Sequence, residues 1–292
     1  MRQPIVCLGD IMVDIVAALP GPLALGSDTH APIRYLGGGS AANTASWLAS
    51  VGAPVSLIGR IGADAAGADA RSVLAAAGVI DLIQVDRALP TGTCIVLVSD
   101  DGERTMIPDP GANAALDLDA IEPDTFSVEH HLHVSGYALL GGSRGAALGA
   151  LALARSAGAG VSVDAASAAP LAAAGADAFL DWVGTELLLF ANAAEATVLT
   201  GEADPADAAR LLGGQLGESV VKAGELGAFW SDGDQLLHSP AVPTSVRDTT
   251  GAGDAFAAAY LAATTSGRAP GLALKQANAL AAKACQQIGG RP

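Results

Sequence analysis

Short apolar runs that end in glycine or a polar residue alternate along this chain with longer tracts of helical periodicity. The run IVCLG, residues 5–9, reads as a buried strand, and SAANTASWLASVG, residues 40–52, as a helix closed by glycine. PVSLIGRIG then predicts a strand and DAAGADARSVLAAAGV a helix. The alternation continues through strands HLHVSGY, GVSVDAA, LLLFAN and SVVKAG and helices SRGAALGALALARSAG, AAEATVLTG and DPADAARLLGG. Strands separated by helices in this way predict an α/β fold, a mainly parallel sheet with helices on both faces. Two stretches break the rhythm. Residues 11–36 and 91–109 carry β-type runs, among them GTCIVLVSD and ERTMIP, with turn residues and no helix between them. They predict a small separate sheet, a lid over one edge of the main sheet. No low-complexity linker, charge block or repeat divides the chain, so residues 1–292 read as one domain. The alanine-rich tract 145–180 is interrupted by Arg155, Asp164 and Asp177 and reads as helices and a strand.

Charge and cysteine content narrow the function classes. The formal net charge of the 292 residues is −15, and the only lysines are Lys222, Lys275 and Lys283. Nucleic acids and anionic membranes need a basic surface, so neither is an expected partner. An acidic chain that handles phosphates must find positive potential locally, in backbone amides, helix N-termini or metal ions. Cys7, Cys94 and Cys285 stand far apart with no CxxC, which argues against a disulfide framework and a zinc site. The opening residues, interrupted by Asp10 and Asp14, make a poor signal peptide, and no apolar run reaches the roughly 20 residues of a membrane span. A soluble cytoplasmic protein is the simplest reading.

The stretch VRDTTGAGDAFAAAY puts bare backbone at a helix entrance. SVRD reads as the end of a β-like segment, and Thr249 or Thr250 can cap the helix. Gly251, Ala252 and Gly253 then carry first-turn amides that an anion can approach closely. Asp254 beside them can accept a proton from an attacking hydroxyl, or can simply complement the helix dipole. GGGSAANTA, residues 37–45, can be a phosphate loop or a tight turn; it matches neither GxxxxGK[ST] nor GxGxxG with its ribose acid. In NAAE, Asn192 and Glu195 share one face of a helix start. They suit a hydrated Mg²⁺ or a capping box equally well in spacing. VVKAGELGAF reads as strand, glycine turn and strand, either a plain hairpin or the edge of a nucleotide pocket. His130, His131 and His133 in HHLH lie on a strand, where packing or surface roles are favoured over zinc. Asp164 follows a strand and can touch ligand or cap a turn, and Cys285 reads as a buried small residue.

Together these pieces resemble the ribokinase family of carbohydrate and nucleoside kinases, the PfkB group. Gly38, Gly39, Ser40, Ala41, Ala42 and Asn43, followed by Gly52 and Gly62, match its N-terminal signature, and DTTGAGD, residues 248–254, its C-terminal one. GRIGADAAG, DDGERTMI with GAN, HLHVSGY, NAAEATVLTG and VVKAGELG stand between them in the family's order, so the resemblance covers nearly the whole chain.

The resemblance implies a ribokinase-like three-layer sandwich with a mainly parallel central sheet and a small β-sheet lid that also makes a homodimer interface. It implies ATP-dependent transfer of a phosphoryl group to a hydroxymethyl group. Asp254 would be the general base, working at an ordinary carboxylate pKa near 3.9, and the Gly251, Ala252 and Gly253 amides the anion hole. Asn192 and Glu195 would hold Mg²⁺ through water. Lys222, Gly224 and Gly227 would border the nucleotide with Asn192, and Asn278 would lie near the adenine. Asp14, Gly38, Gly39 and Asn43, assisted by Asp10, would hold the acceptor. Asp248 and the carbonyl of Thr250 match the place beside the anion hole where many relatives bind K⁺; relatives often continue past QQIGGRP with further carbonyls of that site, so an incomplete site is expected here. Met12 stands where ribokinases carry asparagine, and Ser40 where GGKGAN carries lysine. The acceptor can therefore be a fructose-like sugar, a keto-deoxy acid or a nucleoside; for a nucleoside, Met12, Ile107 or Tyr137 would supply an apolar wall. A catalytically silent sugar- and nucleotide-binding sensor is the alternative from another class.

Overall fold

In the first strand Ile5 and Cys7 are buried on one side and Val6 and Leu8 on the other, as a central strand covered on both faces requires. The computed structural model describes residues 3–99 and 104–292. Residues 100–103 of DDGERTMI and the first two residues of the chain lie outside them. The described chain runs β1 (Ile5–Leu8), β2 (Met12–Ala18), β3 (Ile33–Gly38), α1 (Ser40–Ser50), β4 (Val55–Gly62), α2 (Ala65–Ala76), β5 (Ile80–Asp86), β6 (Gly92–Val98) and β7 (Arg104–Asp109). It continues with β8 (His131–Ser135), α3 (Gly136–Leu140), α4 (Arg144–Ser156), β9 (Gly160–Asp164), α5 (Ala168–Ala174), α6 (Ala176–Val183), β10 (Leu187–Asn192), α7 (Ala193–Thr200) and α8 (Pro205–Leu216). The last elements are β11 (Gly217–Lys222), β12 (Ala228–Ser231), β13 (Leu236–Ser239), α9 (Ala252–Thr264) and α10 (Pro270–Ala284).

Among the described residues the main sheet has nine strands in the order β13-β12-β11-β10-β9-β8-β1-β4-β5. The strands from β11 to β5 in that order pair in parallel, and β12 and β13 fold back antiparallel. One face packs against α1, α2, α9 and α10, where Ile5, Leu57, Phe190 and Val220 meet Trp47, Leu74, Tyr260 and Leu274. The other packs against α3 to α8 through Val134, Val163, Leu189 and Val221. This is the three-layer sandwich expected of the sequence. Alanine on α4 and α9 lets both helices lie close to the sheet. One expectation fails locally: residues 245–248 before the glycine motif are irregular, not β-like.

The two interruptions do form a second sheet, β3-β2-β6-β7. Its register sorts side chains cleanly. Asp14, Cys94 and Pro108 align across three strands on one face, with Val16, Val96 and Met106 beside them. Tyr35, Ile15, Ile95 and Ile107 align on the other. The return of the chain into β6 is fixed by Asp64, the N-cap of α2. Its carboxylate accepts from Gly67 N at 2.8 Å, Thr91 N at 2.8 Å and Thr91 Oγ1 at 2.6 Å.

His131 and His133 face the same side of β8 and both bond the Ser162 hydroxyl, at 2.8 and 2.9 Å, while His130 bonds Ser127. Burial pushes His133 from 6.5 down to about 4. Folded, it stays neutral while the unfolded chain takes up a proton below pH 6.5, so its contribution is present above that value and lost as pH falls toward 4. The raised carboxylates described below act in the opposite sense over part of this window. The difference between wild type and His133→Phe isolates the histidine: between pH 7 and pH 5, urea unfolding should show the variant losing about 2 kcal/mol of acid destabilisation, most of it below pH 6.5. Equal pH dependence of the two proteins would refute the assignment.

Candidate active site

The parallel strands deliver their C-terminal ends to one edge, where open α/β sheets place ligands. Asp10 follows β1, Asp164 ends β9, Asn192 ends β10 and Lys222 ends β11. Between this edge, the inner face of the small sheet and the start of α9 lies a cavity of about 1240 Å³. Single small-molecule sites run to about 1,000 Å³, so the space suits two ligands end to end. Asp14, Gly39 and Asn43 line one end. Gly224, Gly227, Asn278 and residues 241–244 line the other, with Asp254 and Gly251 between.

Asp254 is the third residue of α9. Its carboxylate accepts from Ser40 Oγ at 2.8 Å and Asn43 Nδ2 at 3.0 Å. Burial raises it to about 7, against the lowering effect of those two bonds. The ordinary carboxylate value expected from sequence is corrected by this burial. Asn43 cannot flip freely, because Arg291 Nε donates to its Oδ1 at 3.2 Å, which leaves Nδ2 for Asp254. The same guanidinium donates to Gly38 O at 2.6 Å through Nη2.

α9 starts differently from the sequence expectation. Its N-cap is Gly251 at φ +72°, and neither threonine caps it. Instead Arg104 Nη1 donates to Thr250 Oγ1 at 2.6 Å and Nη2 to Thr249 Oγ1 at 3.2 Å. The Ala252 amide donates to Thr249 O at 3.2 Å, whereas those of Gly251 and Gly253 find no acceptor among the described residues. Two of the three expected anion-hole amides are therefore free. A Cβ on Gly253 would stand 3.2 Å from Lys222 Nζ, so a positive charge also reaches this corner.

Lys222 is half-buried and ion-paired to Asp164 at 2.7 Å. Burial opposes charge on each, but their mutual attraction wins, lifting Lys222 and lowering Asp164. Asp164 also accepts from Ala166 N, the turn role expected for it. Asn192 and Glu195 form the full capping box: Glu195 N donates to Asn192 Oδ1 at 2.9 Å, and Asn192 N to Glu195 Oε2 at 2.7 Å. Both still line the cavity, and burial, followed by the Asp164 charge, raises Glu195 to about 7. Glu195 Oε1 also accepts from Asn192 Nδ2 at 2.5 Å, so the cap leaves only spare lone pairs on this carboxylate, which fit a hydrated Mg²⁺ held through water.

Asp14 sits at 7% exposure on the inner face of the small sheet, raised to about 6 by burial despite the nearby Arg291 charge. A Cβ on Gly38 would collide with its carboxylate, and one on Gly39, at φ +92°, with Asp10 O. Asp10 itself caps α1, accepting from Ser40 N at 2.9 Å and Ser135 Oγ at 3.0 Å. Asn278 donates to Ser239 O and Pro240 O at 2.9 and 3.1 Å and so pins the segment lining the far end. Gly227, at φ +89°, lies where a Cβ would strike Ser239 O, and Gly224 at φ +57° sits in open space. Asp248 is covered on both oxygens. Oδ1 accepts from Thr250 N at 2.8 Å and pairs with Arg104 at 2.7 Å, and Oδ2 accepts from Gly289 N at 2.9 Å.

Two side-chain expectations change. Ile107 points away from the cavity, and Met106 and Pro108 take its place beside Met12, Cys94 and Tyr137. Cys285 is half-buried and lines the cavity. Arg104 and Arg291 belong to the site although no local signal set them apart, and Ser40, marked in the sequence only as standing in the lysine position of GGKGAN, bonds Asp254 through its hydroxyl.

A family model for pfkB family carbohydrate kinases matches residues 2–292. The chain is 31% identical to an ATP-dependent ribose-1-phosphate kinase of Halopiger xanaduensis over 88% of this chain and 83% of that protein. It is 31% identical to a fructokinase of Klebsiella pneumoniae over 90% and 84%. The crystal structure of adenosine kinase from Sinorhizobium meliloti superimposes with a TM-score of 0.90, covering 100% of this chain and 96% of that one at 27% identity.

Proposed function

The chain belongs to the pfkB family of carbohydrate kinases, and from that premise we propose that it moves the γ-phosphoryl group of ATP to a hydroxymethyl group of a small sugar or sugar derivative. The observation that carries this reading is Asp254, half-buried beside the free Gly251 and Gly253 amides in a cavity large enough for two ligands. Asp14, Gly39 and Asn43 hold the acceptor hydroxyls, with Asp10 fixing the helix that presents them. ATP lies toward Gly224, Gly227 and Asn278, and Lys222 meets its phosphates. Asp254 takes the acceptor proton as the acceptor oxygen bonds phosphorus and the bond to the bridging oxygen of ADP breaks. The amides meet the charge on the transferring oxygens. Asn192 and Glu195 would hold Mg²⁺ through water, and the ion, when bound, neutralises phosphate charge.

A nucleoside acceptor is the second reading. Met12, Cys94, Met106 and Pro108 make an apolar wall beside Asp14, suited to the face of a base. ADP release measured across sugars, keto-deoxy acids and nucleosides decides between them. Binding of ATP and an acceptor with no turnover in any pair would favour a silent sensor instead.

The outer row of the small sheet supports a homodimer built through it. Tyr35, Ile95 and Ile107 are 72%, 42% and 54% exposed in one cross-strand stripe. Sedimentation at micromolar concentration should give twice the 28.7 kDa chain mass, and Ile95→Glu should give the single chain. A monomeric wild type would rule this out.

A further inference from the structure

The pair between Arg104 and Asp248 bears on the cation that relatives place beside the anion hole. Asp248 was expected to share a K⁺ ion with the Thr250 carbonyl, but its oxygens already meet the Thr250 and Gly289 amides and the Arg104 guanidinium. A second cation on this carboxylate would face the guanidinium at close range, and like charges there repel strongly. The K⁺ expectation therefore does not fit the residues present. What does fit is the fork of arginine. One planar group reaches Asp248, Thr249 and Thr250 together, the three residues that lead into Gly251. Arg104 comes from the inner face of β7, opposite Val98, and lines the cavity.

We infer that Arg104 is the built-in cation of this site: a positioning residue that supplies the positive charge otherwise drawn from a monovalent ion and holds the turn that presents the anion-hole amides. Because the group rides on the small sheet, the charge is in place only while β7 packs over the cavity. The inference rests on the kinase reading above, and it leads to a chain that turns over without K⁺.

The test compares wild type, Arg104→Ala and Arg104→Lys in KCl and in tetramethylammonium chloride at equal ionic strength. Wild-type kcat should differ by less than about 2-fold between the salts. Arg104→Ala should lose about 10²-fold in kcat, the scale of one lost electrostatic group, and regain rate on adding K⁺ or millimolar guanidinium ion. Arg104→Lys, which keeps charge without the fork, should fall between them. A wild-type rate that falls about tenfold without K⁺, or an Arg104→Ala rate equal to wild type, overturns the inference. A second arm needs no acceptor, so it stands even if the kinase reading fails. Thermal unfolding should show K⁺ raising the Tm of Arg104→Ala and leaving wild type unmoved, whereas an equal response in both proteins rejects the assignment.

Discussion

Asp254→Ala should lower kcat by about 10²–10⁴-fold, the range for a positioned general base, and leave the KM for ATP within a few-fold. The carboxylate has little freedom to be replaced. Ser40 and Asn43 fix it from one side, and Asn43 is itself fixed by Arg291. The raised value near 7, caused first by burial, makes it a better base than an exposed aspartate and puts its titration within reach of assay. Since the ionised form is the active one, kcat/KM should fall tenfold per unit as pH drops below about 7. Stability carries an independent sign. A carboxyl raised in the folded state favours folding only while protonated, and that contribution is lost as pH rises through 7. The shielded charge then destabilises the fold by about 2–4 kcal/mol at pH 8. Asp254→Asn, which keeps shape and removes charge, should therefore raise Tm at pH 8 while abolishing turnover. A residue with a purely structural role would lose both. Undiminished activity in either variant sinks the assignment.

Gly251→Ala should be nearly as damaging, for a different reason. Gly251 adopts φ +72°, and a Cβ there would strike the backbone of Gly290. That backbone cannot easily yield, since Gly290 O accepts from Trp47 Nε1 at 2.9 Å and Gly289 N donates to Asp248 at 2.9 Å. The expected loss is about 2–4 kcal/mol of stability from strain and overpacking, with kcat down about 10²–10³-fold as an anion-hole donor moves. Gly267→Ala is the control. Gly267 has φ +79° with nothing within 4 Å of its added methyl, so it should lose about 1 kcal/mol from backbone strain alone and keep its kcat. If the two variants unfold at the same denaturant concentration with equal kcat, the packing of the terminal loop under Gly251 is not a constraint.

These contrasts mark what local sequence could and could not carry. The order of strands and helices and the glycine-rich turn were legible because each is written within a few neighbouring residues, whereas Asp254 was locally either a proton acceptor or a dipole partner. Asn192 and Glu195 were legible only as a pair of alternatives, since one spacing satisfies both a capping box and a hydrated ion. Arg104 and Arg291 were invisible. Their partners lie far along the chain, more than 140 positions away for Arg104 and nearly 250 for Arg291, and an arginine among ordinary neighbours gives no sign of a distant carboxylate or amide. Ile107 was chosen over Met106 because strand alternation tells which residues share a face but not which face turns inward. The raised value of Asp254 depends on desolvation in the assembled site, set against the bonds from Ser40 and Asn43, which no stretch around residue 254 reveals.

The two-sidedness of β7 limits how this protein can diverge. Arg104, Met106 and Pro108 point one way and Thr105, Ile107 and Asp109 the other. Point substitutions on the inner set can retune the acceptor wall while the outer stripe stays intact. A shift of the β7 register by a single residue cannot be so selective, because it inverts the whole strand. It would remove the guanidinium from Asp248, exchange the cavity wall and bury the outer stripe in one step. Register shifts of this strand should therefore be tolerated in pairs of residues, a parity rule that relatives with the same sheet can be inspected for.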